Sequence, residues 1–340
     1  MTRLLAVLAL GFAACLPGPS TAAAAPHPAK AVDSQTADSR RVLEGYARLR
    51  REDPNEAWTR YLDPDLIQHN PEIAEGLVAH ERFLAERRAA HPDKYLEPQK
   101  YVNIVDNLIA DGDLIAIKSR LFTSPQDPGR AFVDIWRVSG GRLAEHWDVI
   151  QPIPGPQSRR NDQSMGCGTV TNYAEGLAAG DTVAQPTCGL AGNPALRGRS
   201  LATVQAYLAM GQQPGHELQA VRTFIADDFV QHSPHILPGK SGMEAYIRDR
   251  LASGGTVGRV SRTARVLADG DLVLVHRRVT TKDDARGKAY ADLFRVRNGK
   301  VVEHWDVIQP IPPTSVAGRS MVDGPLEPGR IAGPLPTEAH

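Results

Sequence analysis

The spacing of apolar positions changes along this chain in an order that is repeated. Val42, Leu43, Tyr46 and Leu49 recur at helical spacing and predict a helix over Ser39–Glu52, and Pro54 opens a second short helix through Tyr61. Asp65–Asn70 reads as a short strand stopped by Pro71. Leu77–Ala90 has few breakers, with Phe83 and Leu84 on one side, and predicts a third helix. Tyr101–Ile109 and Leu114–Phe122 flank Asp111-Gly112-Asp113, and Ala131–Val138 and Leu143–Ile150 flank Ser139-Gly140-Gly141, giving two hairpins. Pro152 and Pro154 end the last strand. The second half predicts helices at Leu201–Met210, Glu217–Ile225 and Gly242–Leu251, a strand at Phe229–Ser233 and hairpins around Asp269-Gly270-Asp271 and Arg297-Asn298-Gly299. Each half is α-α-β-α-β-β-β-β, which is α+β order.

The two halves are copies. The string EHWDVIQPIP stands unchanged at 145–154 and 303–312, an offset of 158 that also aligns Asp134–Val138 with Asp292–Val296. Upstream the offset is 163, aligning Ile67–Pro71 with Val230–Pro234 and Gly76 with Gly239; the five-residue change falls around Ala89–Leu96. A period this long is a domain, since solenoid units repeat every ~20–50 residues. The expected division is a domain at 39–155, a Gly/Ser/Asn/Pro-rich linker at 156–196, a second domain at 197–313 and a loose Pro/Gly-rich tail at 314–340.

The loop of the last hairpin decides where its polar residues point. A two-residue Asn298-Gly299 turn puts Val296 opposite Val301 and Asp292 opposite Trp305, leaving Asp292 and Asp306 on opposite faces. A three-residue loop with Gly299 as a left-handed bulge residue puts Asp292 opposite His304. Tyr290, Asp292, Phe294, His304, Asp306 and Ile308 then share one face, and Ala291, Leu293, Arg295, Val301, Glu303, Trp305 and Val307 the other. The second register separates a pocket-like face from an apolar packing face and is the one expected. Repeat 1 sorts likewise, with Asp134, Trp136, His146, Asp148 and Ile150 toward the pocket.

The ends and the charge balance narrow the setting. Arg3, the apolar run Leu4–Leu16 and Ala22-Ala23-Ala24 form a secretory signal pattern over 1–25, followed by a polar, alanine-rich leader at 26–38. Cleavage after Ala24 is the expected site; Phe12-Ala13-Ala14-Cys15 offers a lipoprotein alternative in which Cys15 carries the lipid. Either way the protein is expected to be exported, periplasmic or secreted. The apolar run is shorter than the ~20 residues a membrane span needs, and no other stretch is apolar enough. Lys plus Arg equals Asp plus Glu, 39 each, with no basic face or tail, so nucleic acid is an unexpected partner. Cys167 and Cys188, both between the repeats, read best as a disulfide in an oxidising compartment.

The motif set Ile67-Gln68-His69-Asn70-Pro71, Gly76, Phe132–Val138, Gly141 and Glu145-His146-Trp147-Asp148 resembles the SnoaL-like, polyketide cyclase-like branch of the nuclear transport factor 2 superfamily. Repeat 2 carries it through Val230-Gln231-His232, Asp292–Val296, Asn298-Gly299-Lys300 and Glu303-His304-Trp305-Asp306. The resemblance implies two tandem cone-shaped α+β barrels, each a curved sheet wrapped by three helices around a pocket for a small molecule, and it implies no cofactor. It further implies a pocket aspartate as base, aided by histidine, in aldol-type ring closure or isomerisation of a carbonyl compound. By position the catalytic candidates are Asp306, His304 and Asp292 in repeat 2 and Asp148, His146 and Asp134 in repeat 1. His69, His232 and His276 are expected near the pockets with Trp136, Phe294 and Tyr290 as substrate contacts; Lys118 stands in repeat 1 where repeat 2 has His276.

Blander readings stand beside these. The His-x-Asp pairs suit a binding pocket without turnover, or a tandem in which one pocket has decayed. His69, His146 and Asp148 form a two-histidine, one-carboxylate set, but the resemblance argues for no metal. A tight turn accounts for Asp111-Gly112-Asp113 without calcium. Trp147, Trp305 and Phe83 suit core or interface, and single-domain relatives pair through sheet faces, so the two units are expected to form an intrachain pseudo-dimer through the Trp147 and Trp305 faces.

Overall fold

A computed structural model describes residues 29–90, 102–161, 165–168, 170–180 and 182–322. The signal pattern, Cys15 and the tail beyond 322 lie outside these residues. Helices α1 (Ala29–Glu52), α2 (Pro54–Tyr61) and α3 (Leu77–Ala90) precede or interrupt strands β1 (Leu62–Gln68), β2 (Val102–Asp111), β3 (Leu114–Phe122), β4 (Arg130–Ser139) and β5 (Arg142–Pro152). A short helix α4 (Tyr173–Ala179) follows. The second unit contains α5 (Arg197–Gly211), α6 (Glu217–Phe224), β6 (Ile225–Gln231), α7 (Gly239–Ala252), β7 (Val260–Asp269), β8 (Leu272–Thr281), β9 (Asp284–Arg297) and β10 (Lys300–Pro310). Helix α1 begins well before Ser39, so part of the expected leader is helical. Asp53 caps α2 by accepting from the Asn55 and Glu56 backbone N–H groups, with Pro54 in the first turn where no N–H is needed.

Each unit holds a five-stranded sheet, in the orders β1-β5-β4-β3-β2 and β6-β10-β9-β8-β7. The first strand of each is parallel to the last and the other pairs are antiparallel. The edge strands do not pair with one another, so the sheets are open rather than closed barrels. The turn of the last hairpin is the two-residue one: Asn298 and Gly299 both have positive φ (52° and 71°), the primed-turn conformation. Val296 therefore faces Val301, and then a bulge at Val302 shifts the register so that Asp292 lies opposite Asp306 and Phe294 opposite His304. The expected three-residue loop is absent; beyond the bulge the expected faces result, because a one-residue bulge reverses the parity of every position beyond it, but Val301, before the bulge, packs with Phe294 and Val296 instead of on the expected packing face. Repeat 1 does the same, with a shift between Arg137 and Val138 and Asp134 opposite Asp148.

The apolar faces of the two sheets share one core, with Trp147 and Trp305 among its largest side chains and Ile135, Val149, Leu293 and Val307 around them. Two pairs of reciprocal bonds accompany it. Gln151 accepts from the Ile308 N–H and Gln309 from the Ile150 N–H, both at 2.7 Å. Asp269 accepts from the Ala110 N–H at 3.0 Å and Asp111 from the Ala268 N–H at 3.1 Å. The segment between the repeats packs here too: Cys167 and Cys188 are disulfide-bonded, Met165 is buried, and Asn161 donates to the Ile236 carbonyl. The start of the expected loose tail is also held, since Met321 and Val322 are buried and Arg265 donates to the Val322 carbonyl.

Candidate functional site

In unit 2 the helices and the polar sheet face enclose a cavity of about 390 Å³, within the ~300–1,000 Å³ usual for small-molecule sites. Tyr290, Asp292, Phe294, His304, Asp306 and Ile308 line it, and Gln151 of unit 1 reaches into its wall. The parallel pairing of β6 with β10 sets Gln231 beside His304. Gln231 Oε1 accepts from the Ser233 N–H, so it must also be the acceptor for His304 Nδ1–H at 3.0 Å. His304 Nε2 lies 3.2 Å from Asp292 Oδ1. Facing an acceptor on each nitrogen, the ring satisfies both only when doubly protonated. Phe294 stacks on it with centroids 4.9 Å apart.

The two carboxylates of this cavity are driven apart. Arg277 donates to both oxygens of Asp292 from Nε and Nη2, at 2.7 and 3.2 Å. Burial alone would raise the Asp292 carboxyl, but the Arg277 charge and the bonds from His304 and Arg277 hold it well below the usual carboxylate range. Asp306 has no guanidinium partner, and burial pushes its carboxyl up; the His304 charge opposes this and the Asp292 charge adds to it. Its Oδ1 is buried without a hydrogen-bond partner.

Unit 1 repeats the arrangement with changes. His146 Nδ1 meets Gln68 Oε1 at 3.0 Å and its Nε2 meets Asp134 Oδ1 at 3.1 Å. Asn70 Nδ2 donates to Asp148 Oδ2 at 2.6 Å, while Asp148 Oδ1 has no partner. Burial raises the Asp148 carboxyl to about 6, with the Asp134 charge assisting. Trp136 lies over His146 with centroids 3.8 Å apart. His80, which the sequence reading did not single out, is buried against Trp58, and burial, then His146, lowers it to about 3.

Three expected pocket histidines are elsewhere. His69 stacks on Trp147 at 4.8 Å and bonds the Ser320 carbonyl and Glu145, and His232 stacks on Trp305 at 4.6 Å and bonds the Gly166 carbonyl. Both belong to the packing face rather than a pocket mouth. This also separates His69 from His146 and Asp148, so that metal set does not assemble. His276 is fully buried beside Arg265 on the same packing side, where burial and that cation keep its ring well below the ordinary histidine range. Lys118 is likewise buried on Asp106, not in a pocket. The β8 residue that does face the cavity is Arg277, whose unit 1 counterpart is Ser119. Among the described residues the groups close enough to share a cation are Cys167–His232–Glu303, whose cysteine is tied up in the disulfide, Asp134–His146–Asp148 and Asp292–His304–Asp306. The last fits an ion poorly, because Arg277 already occupies Asp292.

The model of the SnoaL-like domain matches residues 42–146 and 204–304. Among solved structures, a loop-truncation variant of IdmH is 24% identical, with 32% of this chain and 91% of that chain covered and a TM-score of 0.27. An M. tuberculosis LEH-like epoxide hydrolase is 20% identical over 33% of this chain and 84% of its own, TM-score 0.28. An NTF-2 like protein of unknown function from Burkholderia xenovorans LB400 is 17% identical over 34% and 86%, TM-score 0.29. A search of curated proteins returned no match.

Proposed function

Since the chain belongs to the SnoaL-like domain family, with one copy in each half, we propose that it is a lyase or isomerase of aldol or cyclase type acting on a small carbonyl compound. The observation that carries this reading is the divergence of the two cavity carboxylates, the pattern by which one fold supplies both a base and a fixed charge. Asp306, raised by burial and with one oxygen unpaired, is the base that removes a proton beside the carbonyl. His304, held between Gln231 and Asp292, offers positive charge to the enolate that develops. Asp292, clamped by Arg277, stays charged and positions His304. Asp148, His146 and Asp134 are the parallel set in unit 1. The reaction so written uses these side chains alone.

The test is turnover of a carbonyl library by Asp306→Asn and Asp148→Asn. A loss of about 10²–10⁴-fold is expected for the variant of the working site, with ligand binding retained. Unchanged turnover in both variants refutes the assignment. A second reading, a binding protein with the same cavity, draws support from the Arg277–Asp292 clamp, which rigidifies the wall; parallel losses of binding with no turnover on any substrate favour it.

We also propose that the two units form a pseudo-dimer in solution, supported by the shared Trp147/Trp305 core. Solution scattering fitted by two independently tumbling bodies would sink this. Export is proposed from the N-terminal pattern and the Cys167–Cys188 disulfide. An intact N-terminus on the cytoplasmic protein would contradict it.

A further inference from the structure

Charge is graded across the cavity-facing side of the unit 2 sheet. Asp306 stands on β10, Asp292 on the neighbouring β9, Arg277 on β8 and Arg259 just before β7, so in the middle of the sheet two acids are followed by two cations in strand order, while Lys288 lines the cavity from the start of β9. Arg250 of α7 adds a third guanidinium to the same cavity. Arg277 is neutralised by Asp292, but the other two are not. Among the described residues neither Arg250 nor Arg259 has an ion pair or a guanidinium hydrogen bond. Arg250 Nε is buried with no partner, and its guanidinium lies 5.6 Å from the Tyr246 ring centroid. Burial and the charges of Arg277 and Arg250 lower Arg259, as expected of like charges gathered without a counterion. Glu217 also lines the cavity and offsets part of the excess.

Repeat 1 lacks the gradient. At the same offset Ser119 replaces Arg277 and Tyr101 replaces Arg259, while both aspartates are kept as Asp134 and Asp148. A cation wall is therefore no requirement of the fold or of the paired acids. Arg250 is matched by Arg87 at the upstream offset of 163, so what is specific to unit 2 is the pair Arg277 and Arg259.

We propose that the unit 2 cavity takes a carbonyl compound bearing an oxyanion, a carboxylate or phosphate ester, with the anion held by Arg250 and Arg259 and the carbonyl over Asp306. This deepens the reaction reading by naming its substrate class and rests on it for the placement of the carbonyl. Strands lie ~4.8 Å apart, so β10 and β7 are separated by roughly 14 Å along the sheet. Arginine side chains shorten this to a span of several bonds, which separates the anion from the reacting carbon.

The probes are 7-oxooctanoate, its methyl ester and inorganic phosphate, titrated calorimetrically into the full chain and into Arg259→Met, Arg250→Met and Arg259→Lys, each checked for native melting. The acid is expected to bind at least tenfold more tightly than the ester, the Met variants to erase that preference, and Lys to restore part of it. Displacement of the acid by phosphate assigns the site to oxyanions in general, and no displacement assigns it to carboxylates. Equal binding of acid and ester, an unchanged preference in both Met variants, or binding of none of the probes overturns the proposal. Because binding is read without turnover, an acid preference in a chain inert toward every carbonyl compound would defeat the reaction reading alone.

Discussion

Asp148→Asn should change how stability depends on pH, because the native carboxyl titrates far from its unfolded value. Its pKa rises from 3.8 to about 6 on folding, chiefly through burial. A carboxyl raised by folding holds its proton more firmly in the folded chain. Its contribution is therefore best below pH 4 and is lost as the pH rises toward 6, when the buried group must ionise. A shift of about two units corresponds to about 3 kcal/mol. Asparagine keeps the acceptor for Asn70 Nδ2 but never ionises. It also places an amide N–H₂ where Oδ1 has no partner, a cost of about 1–3 kcal/mol that does not vary with pH. The comparison of pH slopes thus isolates the carboxyl. Urea unfolding of wild type and variant from pH 4 to 7.5 should show wild type losing about 3 kcal/mol relative to the variant. Parallel curves would refute the assignment of a buried, raised acid.

Other perturbations act on neighbouring groups. His80→Met installs the residue that repeat 2 has at this position, Met243. His80 falls from 6.5 to about 3 on folding, so its contribution is full above pH 6.5 and is lost as the pH falls toward 3. The variant should resist acid unfolding by up to about 5 kcal/mol, and an unaltered acid midpoint would contradict this. Arg277→Met leaves Asp292 buried without its cation and should cost about 3–5 kcal/mol in denaturant unfolding, a loss that Asp292→Asn in the same chain should partly restore. Reducing the Cys167–Cys188 bond opens a loop of sequence separation 21 and should lower stability by about 3 kcal/mol; equal melting with and without reductant would show that the segment is held by packing alone.

Much of the fold was legible because hairpins punctuated by Asp-Gly-Asp and Asn-Gly set strand ends, and because duplication let each half check the other. The bulges at Ala144 and Val302 were not legible, since nothing in either string marks a residue that leaves the ladder. Beyond the bulge the faces agree with the expectation through a different register, and Val301, before it, does not. His276 was misplaced because β8, Leu272–Thr281, is apolar on both faces over its first half, so alternation carries no direction there. Arg277, one position on, was passed over for the same reason. His69 and His232 lie just past the ends of β1 and β6, beyond the register shift of each parallel pair, where counting from the strand no longer predicts orientation. Their stacking on Trp147 and Trp305 could have been suspected from the apolar packing face those tryptophans define.

The Gln151/Gln309 exchange ties two distant stretches of chain to one fate. Each glutamine serves a backbone N–H in the other copy of its own string, so at this contact the two copies meet as equivalents. A substitution arising in one copy alters a contact whose other half is still the ancestral sequence. Only a matching second change restores the original match, and two independent changes at equivalent sites seldom coincide. The contact thus acts as a brake on divergence where the copies meet, while positions away from it, such as Ser119 and Arg277, are free to part. Identity at Trp147/Trp305 and Gln151/Gln309 accords with contact across the interface, whereas His146/His304 and Asp148/Asp306 are identical while facing away from it.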